Sequence, residues 1–162
     1  MDKLSGDFWH GRIARYVPLV LVAATVLFLS TNEASSVGTS RFIRPFLEYL
    51  FPTADESTLA SYHGAIRKVA HLFEYAVLAI VAARAYRHSS KVYLHGFWSA
   101  ASLATVLVVA SADEFNQSLN PLRTGSAFDV AIDVAGGLIG VIAVTLAIRF
   151  FGMGSKAGAG ST

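Results

Sequence analysis

The chain contains no cysteine, which excludes disulfides and thiolate metal sites and leaves no redox compartment to be read. Charge is also scarce. Only 15% of the 162 residues are Asp, Glu, Lys or Arg, against roughly 25% in typical globular chains. The net charge is +2 and the pI about 9.0, but the basic residues are dispersed. They form no clustered stripe, so nucleic acid is set aside as a partner. No internal repeat and no nucleophile motif is visible. What the chain has in quantity is apolar surface, with 54% hydrophobic residues and a mean hydropathy of +0.51. Its length suits one domain, and its composition a membrane protein.

A spanning helix needs about 20 mostly apolar residues. Tyr16 to Asn32 and Gly96 to Ala112 carry no formal charge, and both qualify. Ala65 to Ala83 qualifies if its charges are tolerated. Ala127 to Phe151 is long enough, with Asp129 and Asp133 near its start. The fold class that follows is an all-α integral membrane protein, a four-transmembrane-helix bundle. Its single domain covers residues 1–151, with helices at about 16–32, 57–85, 96–117 and 127–151, and residues 152–162 form a flexible tail. A cleaved signal peptide is the alternative for the first span, since Lys3, Arg12 and Arg15 precede it. However, no small-x-small cleavage pattern closely follows "VLFLSTNEASS".

Lys and Arg counts set the orientation. Four spans put Lys3, Arg12, Arg15, Arg84, Arg87, Lys91, Arg149 and Lys156 on one side, and Arg41, Arg44, Arg67, Lys68 and Arg123 on the other. The excess predicts cytoplasmic N- and C-termini. Phe8, Trp9, Phe97 and Trp98 then read as interfacial anchors, His10, His88 and His95 as interfacial, and His63 as a surface residue. Between the first two spans, "RFIRPFLEYLF" fits an amphipathic interfacial helix with Pro45 in its first turn, or an outer loop packed on the bundle. After it, "PTADESTLASYH" reads as a turn and a polar helix start, capped by Asp55 or Ser57.

The second span is the informative one, because "IRKVAHLFEYAVLAIVAARAYR" opens with Arg67, Lys68, His71 and Glu74. A charge at a helix centre costs about 2.5–3.5 kcal/mol on insertion scales, so these groups are expected to face inward and pair. Counting helical rise from the cytoplasmic boundary brings Lys68, Asp113 and Asp133 to one level in the outer leaflet, with His71 and Glu74 below. Spacing agrees: Arg67, His71 and Glu74 form one strip, and Lys68, His71 and Tyr75 an overlapping one. Glu114 and Gln117 lie i,i+3, and Asp129 and Asp133 lie i,i+4. Gly136 and Gly140 continue that last face as a GxxxG, which predicts close approach of a neighbouring helix or of a second copy. In "NQSLNPLRTGSAFD", Ser126 reads as a cap and Arg123 as a donor able to reach carboxylates at both helix ends.

These residues resemble a known family. "IRKVAHLFEYAVLA", then "ADEFNQ", "PLR" and "FDVAIDVAGGLIG" look like the VanZ-like family of small bacterial membrane proteins. Its pattern runs Arg-Lys-x-x-His-x-x-Glu-Tyr, Asp-Glu-x-x-Gln, Arg, then Asp. Carried over by residue, the shared positions are Arg67, Lys68, His71, Glu74, Tyr75, Asp113, Glu114, Gln117, Arg123 and Asp129. Two positions depart: Asp133 stands where the family often has Asn, and Leu122 where Gly often precedes the Arg. The resemblance implies a multi-pass protein of the bacterial cell (inner) membrane, at the cell envelope, in a family linked to resistance to teicoplanin-type glycopeptides.

Three functional readings follow. In the first, Arg67, Lys68, Tyr75, Asp113, Gln117, Arg123, Asp129 and Asp133 line an outer-leaflet pocket for an anionic or lipid-linked envelope ligand. Its partners would be membrane lipids, with a lipid-linked wall precursor or a glycopeptide as further candidates. In the second, His71 with Glu74 or Glu114 acts as acid and base on a lipid headgroup. In the third, the charges are an ionic staple that fixes helix register, for instance by pairing Lys68 with Asp113 or Asp133. A metal is the weaker variant, since "HLFE" supplies one histidine and Arg67 and Lys68 oppose a cation. No metal or other cofactor is therefore assigned, and the oligomeric state is not read.

Overall fold

The computed structural model describes residues 11–29, 37–119 and 127–157, with side chains at all of these except 12, 37–42, 127 and 151–157. Among the described residues the chain is helical and has no strand. Helix α1 covers Arg12–Leu29, α2 Val37–Leu50, α3 Glu56–Arg87, α4 Val92–Gly96, α5 Trp98–Ser118 and α6 Ala127–Ala157.

Helix α3 is the axis of the bundle and packs against every other helix. It starts where the polar run before it supplies a cap. Asp55, in extended conformation, accepts from the Thr58 backbone N–H at 2.9 Å and from the Ser57 hydroxyl at 3.1 Å. These donors hold the Asp55 carboxyl below its usual range. Asp55, rather than Ser57, is thus the capping residue. Arg84 and Arg87 close the last turn, where cations suit the helix dipole.

The middle of α3 turns an alanine-rich face to the core. Ala76, Ala79, Ala82, Ala83 and Ala85 are buried near Tyr75 and Leu78, and Ala79, Ala82 and Ala85 share one core cluster with Val106 and Ala110 of α5. Small residues let backbones approach, and α6 answers with glycine. A Cβ on Gly136 would collide with the Leu72 carbonyl, and one on Gly140 with the Ala76 carbonyl and the Ala79 side chain. A Cβ on the adjacent Gly137 would meet Val106 at 2.7 Å. The GxxxG face is therefore used within the chain, against α3.

Two local readings are corrected. Helix α2 begins at Val37, not near Arg41, so Pro45 is interior and removes the N–H that would bond to the Arg41 carbonyl. The helix is nonetheless held at its far half by buried Leu47 and by Arg44, which pairs with Glu48 at 2.8 Å and with Glu56 at the start of α3. The span expected from Gly96 starts at Trp98, preceded by the one-turn α4. There His95 Nδ1 donates to the Arg87 carbonyl, and the Arg87 guanidinium lies 5.8 Å from the Trp98 ring centroid. At the other end of the chain, α6 continues to Ala157, into the stretch read as a tail.

By length and apolarity together, one described helix suffices to cross a membrane, over Phe128–Phe150, and Ile13–Leu29 is a shorter apolar helix. In α3 the apolar run is interrupted by Arg67, Lys68 and Glu74, and α5 mixes serine, threonine and two acids into its own.

Candidate functional site

Three helices bring polar groups to one end of the bundle: the first half of α3, the last turns of α5 and the first turns of α6. His71 is the meeting point. Its Nδ1 lies 3.4 Å from Asp133 Oδ1 on α6 and 3.9 Å from Asp113 Oδ2 on α5. Both aspartates are buried, with side chains 1% and 4% exposed, while the His71 side chain is 25% exposed. One turn further along α3, the fully buried Tyr75 donates its hydroxyl to Asp113 Oδ2 at 3.2 Å. Its ring lies nearly parallel to the imidazole, at 19° and 6.3 Å between centroids. The cluster thus has an order: Tyr75 fixes Asp113, Asp113 and Asp133 flank His71, and His71 reaches the surface.

Two carboxylate oxygens, Asp113 Oδ1 and Asp133 Oδ1, are buried and make no hydrogen bond. Carboxylate oxygens in such a position ordinarily take two or three donors. One ligand atom each from His71, Asp113 and Asp133 lies within 4.8 Å of the other two.

In front of His71 lies a half-open cavity of about 320 Å³ between the start of α3 and the start of α6. Arg67, Lys68 and His63 give its wall a basic side, and Asp129, Asp133 and Gln117 an acidic and amide side. Lys68 is exposed, with its ammonium 5.3 Å from the Phe128 ring centroid, a cation–π arrangement. The basic partner between the two aspartates is therefore His71, and the pairing of Lys68 with Asp113 or Asp133 is replaced by the Phe128 contact.

Glu74 is partly buried, one turn past His71 and within electrostatic reach of His71, Asp113 and Asp133. Glu114 is partly exposed, beside Asp113 but outside the His71 cluster. Gln117 is buried at the end of α5 and forms part of the cavity wall. Arg123 and the cap assigned to Ser126 lie outside the described residues. His63, read as a surface residue, lines the cavity with Ala60 and Gly64. The signal for it was present, because 60, 63, 64, 67 and 71 recur at the three- and four-residue spacing of one helical face.

No curated protein and no solved structure matches this chain. The family model described as VanZ/LLP1 matches residues 16–148, a stretch that takes in most of α1, the whole of α2 to α5, and every residue of the His71 cluster and its cavity. The chain belongs to the VanZ/LLP1 family.

Proposed function

We propose that this is a multi-pass membrane protein of the bacterial cell envelope that binds an anionic or lipid-linked envelope ligand in the cavity before His71. The observation that carries this reading is the cavity wall itself, in which Arg67 and Lys68 stand opposite Asp129 and Asp133 across about 320 Å³. Cations of this kind suit a phosphate or carboxylate, and the carboxylates and Gln117 suit hydroxyl and amide donors.

The surroundings support a ligand with a tail. Val69 and Phe73 on α3, Phe115 on α5, and Phe128, Ile139 and Ile142 on α6 are all exposed. So much exposed apolar surface on long helices is uncommon in soluble monomers and natural against lipid. In this reading α1, α3, α5 and α6 are the four spans and α2 lies at the outer interface, with Phe46, Tyr49 and Leu50 exposed. The excess of Lys and Arg at the opposite end supports cytoplasmic termini and a cavity in the outer leaflet. A role in glycopeptide resistance would then follow from holding a wall precursor or the drug at that face.

A second reading, acid–base chemistry on a headgroup, is favoured by one observation: His71 opens to the cavity with two buried carboxylates at 3.4 and 3.9 Å from its Nδ1, placed to stabilise the imidazolium that forms as a general base takes up a proton. The two readings separate when purified protein is incubated with bacterial lipid extract and both retained and altered lipids are analysed. A retained, unchanged anionic lipid supports binding, and a time-dependent product supports catalysis. Neither retention nor product would refute both.

A further inference from the structure

We infer that His71, Asp113 and Asp133 form a binding site for one divalent transition-metal cation of the Zn²⁺ type, with an open coordination position facing the cavity. The inference goes beyond the envelope-ligand reading and does not depend on it.

Charge is the first argument. Two buried carboxylates face a single imidazole, so with both ionised the cluster would keep a surplus negative charge even with His71 protonated. Among the described residues the basic neighbours do not cancel it directly, since Lys68 lies over Phe128, Arg67 belongs to the cavity wall, and Glu74 adds a further acid nearby. A divalent cation bound by two carboxylates and a neutral imidazole would make the cluster neutral. In an apolar bundle that balance avoids an unpaired buried charge.

Geometry is the second. Asp133 Oδ1 faces His71 Nδ1 at 3.4 Å, a long ion-pair contact, and among the described residues it is buried with no closer partner. This separation suits two ligands of one ion. Bond lengths of about 2.0–2.2 Å in a tetrahedral site set neighbouring ligand atoms about 3.3–3.6 Å apart. The 3.9 Å edge to Asp113 needs only a small closure. Asp113 already has the support that metal ligands usually have, because Tyr75 donates to the same Oδ2 that faces His71 and so fixes its orientation.

The donor set is the third. One imidazole and two carboxylates suit Zn²⁺ or Mn²⁺ better than Mg²⁺, which keeps several waters and rarely takes imidazole. Three protein ligands leave a fourth position for water or a ligand oxygen. The partial exposure of His71 puts that position on the cavity side.

The test uses the full chain in detergent, freed of metal by chelator and titrated with Zn²⁺, with Co²⁺ as an absorbing probe and Mg²⁺ as a contrast. Expected are one equivalent of saturable Zn²⁺, visible Co²⁺ absorption that Zn²⁺ displaces, and no comparable effect of Mg²⁺. Asp133→Asn keeps the side-chain shape and should weaken Zn²⁺ by tenfold or more. Tyr75→Phe, which leaves all three ligands in place, should weaken it by roughly tenfold. Helical content by circular dichroism distinguishes an unfolded variant from a folded one that has lost its site. Absence of saturable Zn²⁺ binding in the folded wild type, or binding unchanged in folded Asp133→Asn, would overturn the inference. No lipid is present, so the outcome is separate from that of the lipid-retention experiment.

Discussion

The Tyr75 hydroxyl donates to Asp113 Oδ2 at 3.2 Å in the fully buried centre of the bundle, tying α3 to α5 directly behind His71. A hydrogen bond to a charged group contributes about 1.5–3 kcal/mol. Its loss in Tyr75→Phe is expected to lower the unfolding free energy in detergent by roughly that amount. Phenylalanine keeps the packing volume, so Tyr75→Ala should cost more. An unaltered Tyr75→Phe protein would show that Asp113 is held by other contacts.

The close approach of α3 and α6 rests on missing side chains. In Gly136→Val and Gly140→Val the new atoms would meet backbone carbonyls of Leu72 and Ala76, which cannot rotate away. Overpacking of this kind costs about 1–3 kcal/mol and can exceed it where backbone is the obstacle. Thermal unfolding in detergent should show a clear loss for both. Gly64→Ala is the control, since nothing lies within 4 Å of its added Cβ, and it should be near neutral or slightly stabilising.

Helix α3 should respond to pH through its cap. The Asp55 carboxyl is held below its usual range by Thr58 and Ser57. A carboxylate depressed on folding contributes stability that is full above the ordinary carboxylate pKa and lost as pH falls through the depressed one. Asp55→Ala should lower the melting temperature near neutral pH, and the difference from wild type should shrink in acid. Asp55→Asn, which still caps, should keep most of the stability without that acid-sensitive part.

The absence of cysteine makes topology directly measurable. With a single Ser61→Cys at the exposed start of α3 or Ser90→Cys in the exposed turn after it, an impermeant maleimide on intact cells is expected to label the first alone. After permeabilisation both should react. The reverse pattern would invert the orientation and move the cavity to the cytoplasmic side.

Much of this architecture was legible because its signals are one-dimensional. Apolar run length marked four long helices, the i,i+4 glycines marked a close helix approach without saying whether it lay within the chain or to a second copy, and the short polar residues before a helical run marked a cap at Asp55 or Ser57. The strip of Arg67 and His71 along α3 was also readable from spacing alone. What spacing does not carry is the rotation and sliding of one helix against another. Lys68 and His71 differ by three residues, about 4.5 Å of rise, and a shift of that size decides which of them stands between Asp113 and Asp133. His63 was missed although spacing places it on the same helical face as Arg67 and His71, because the polar run that opens α3 was read as surface. The extra turns of α2 before Pro45 and the one-turn α4 were not legible, since neither has an apolar periodicity long enough to register.

The account turns on the basic wall of the cavity as the place where an anionic envelope ligand is held. Its most direct test is lipid retention, measured by mass spectrometry, in wild type and in the Arg67→Gln/Lys68→Gln double variant after identical exposure to bacterial lipid extract. Retention of a defined anionic lipid by the wild type and its loss in the folded double variant is the expected result. Equal retention by both proteins, or none by the wild type, would contradict it.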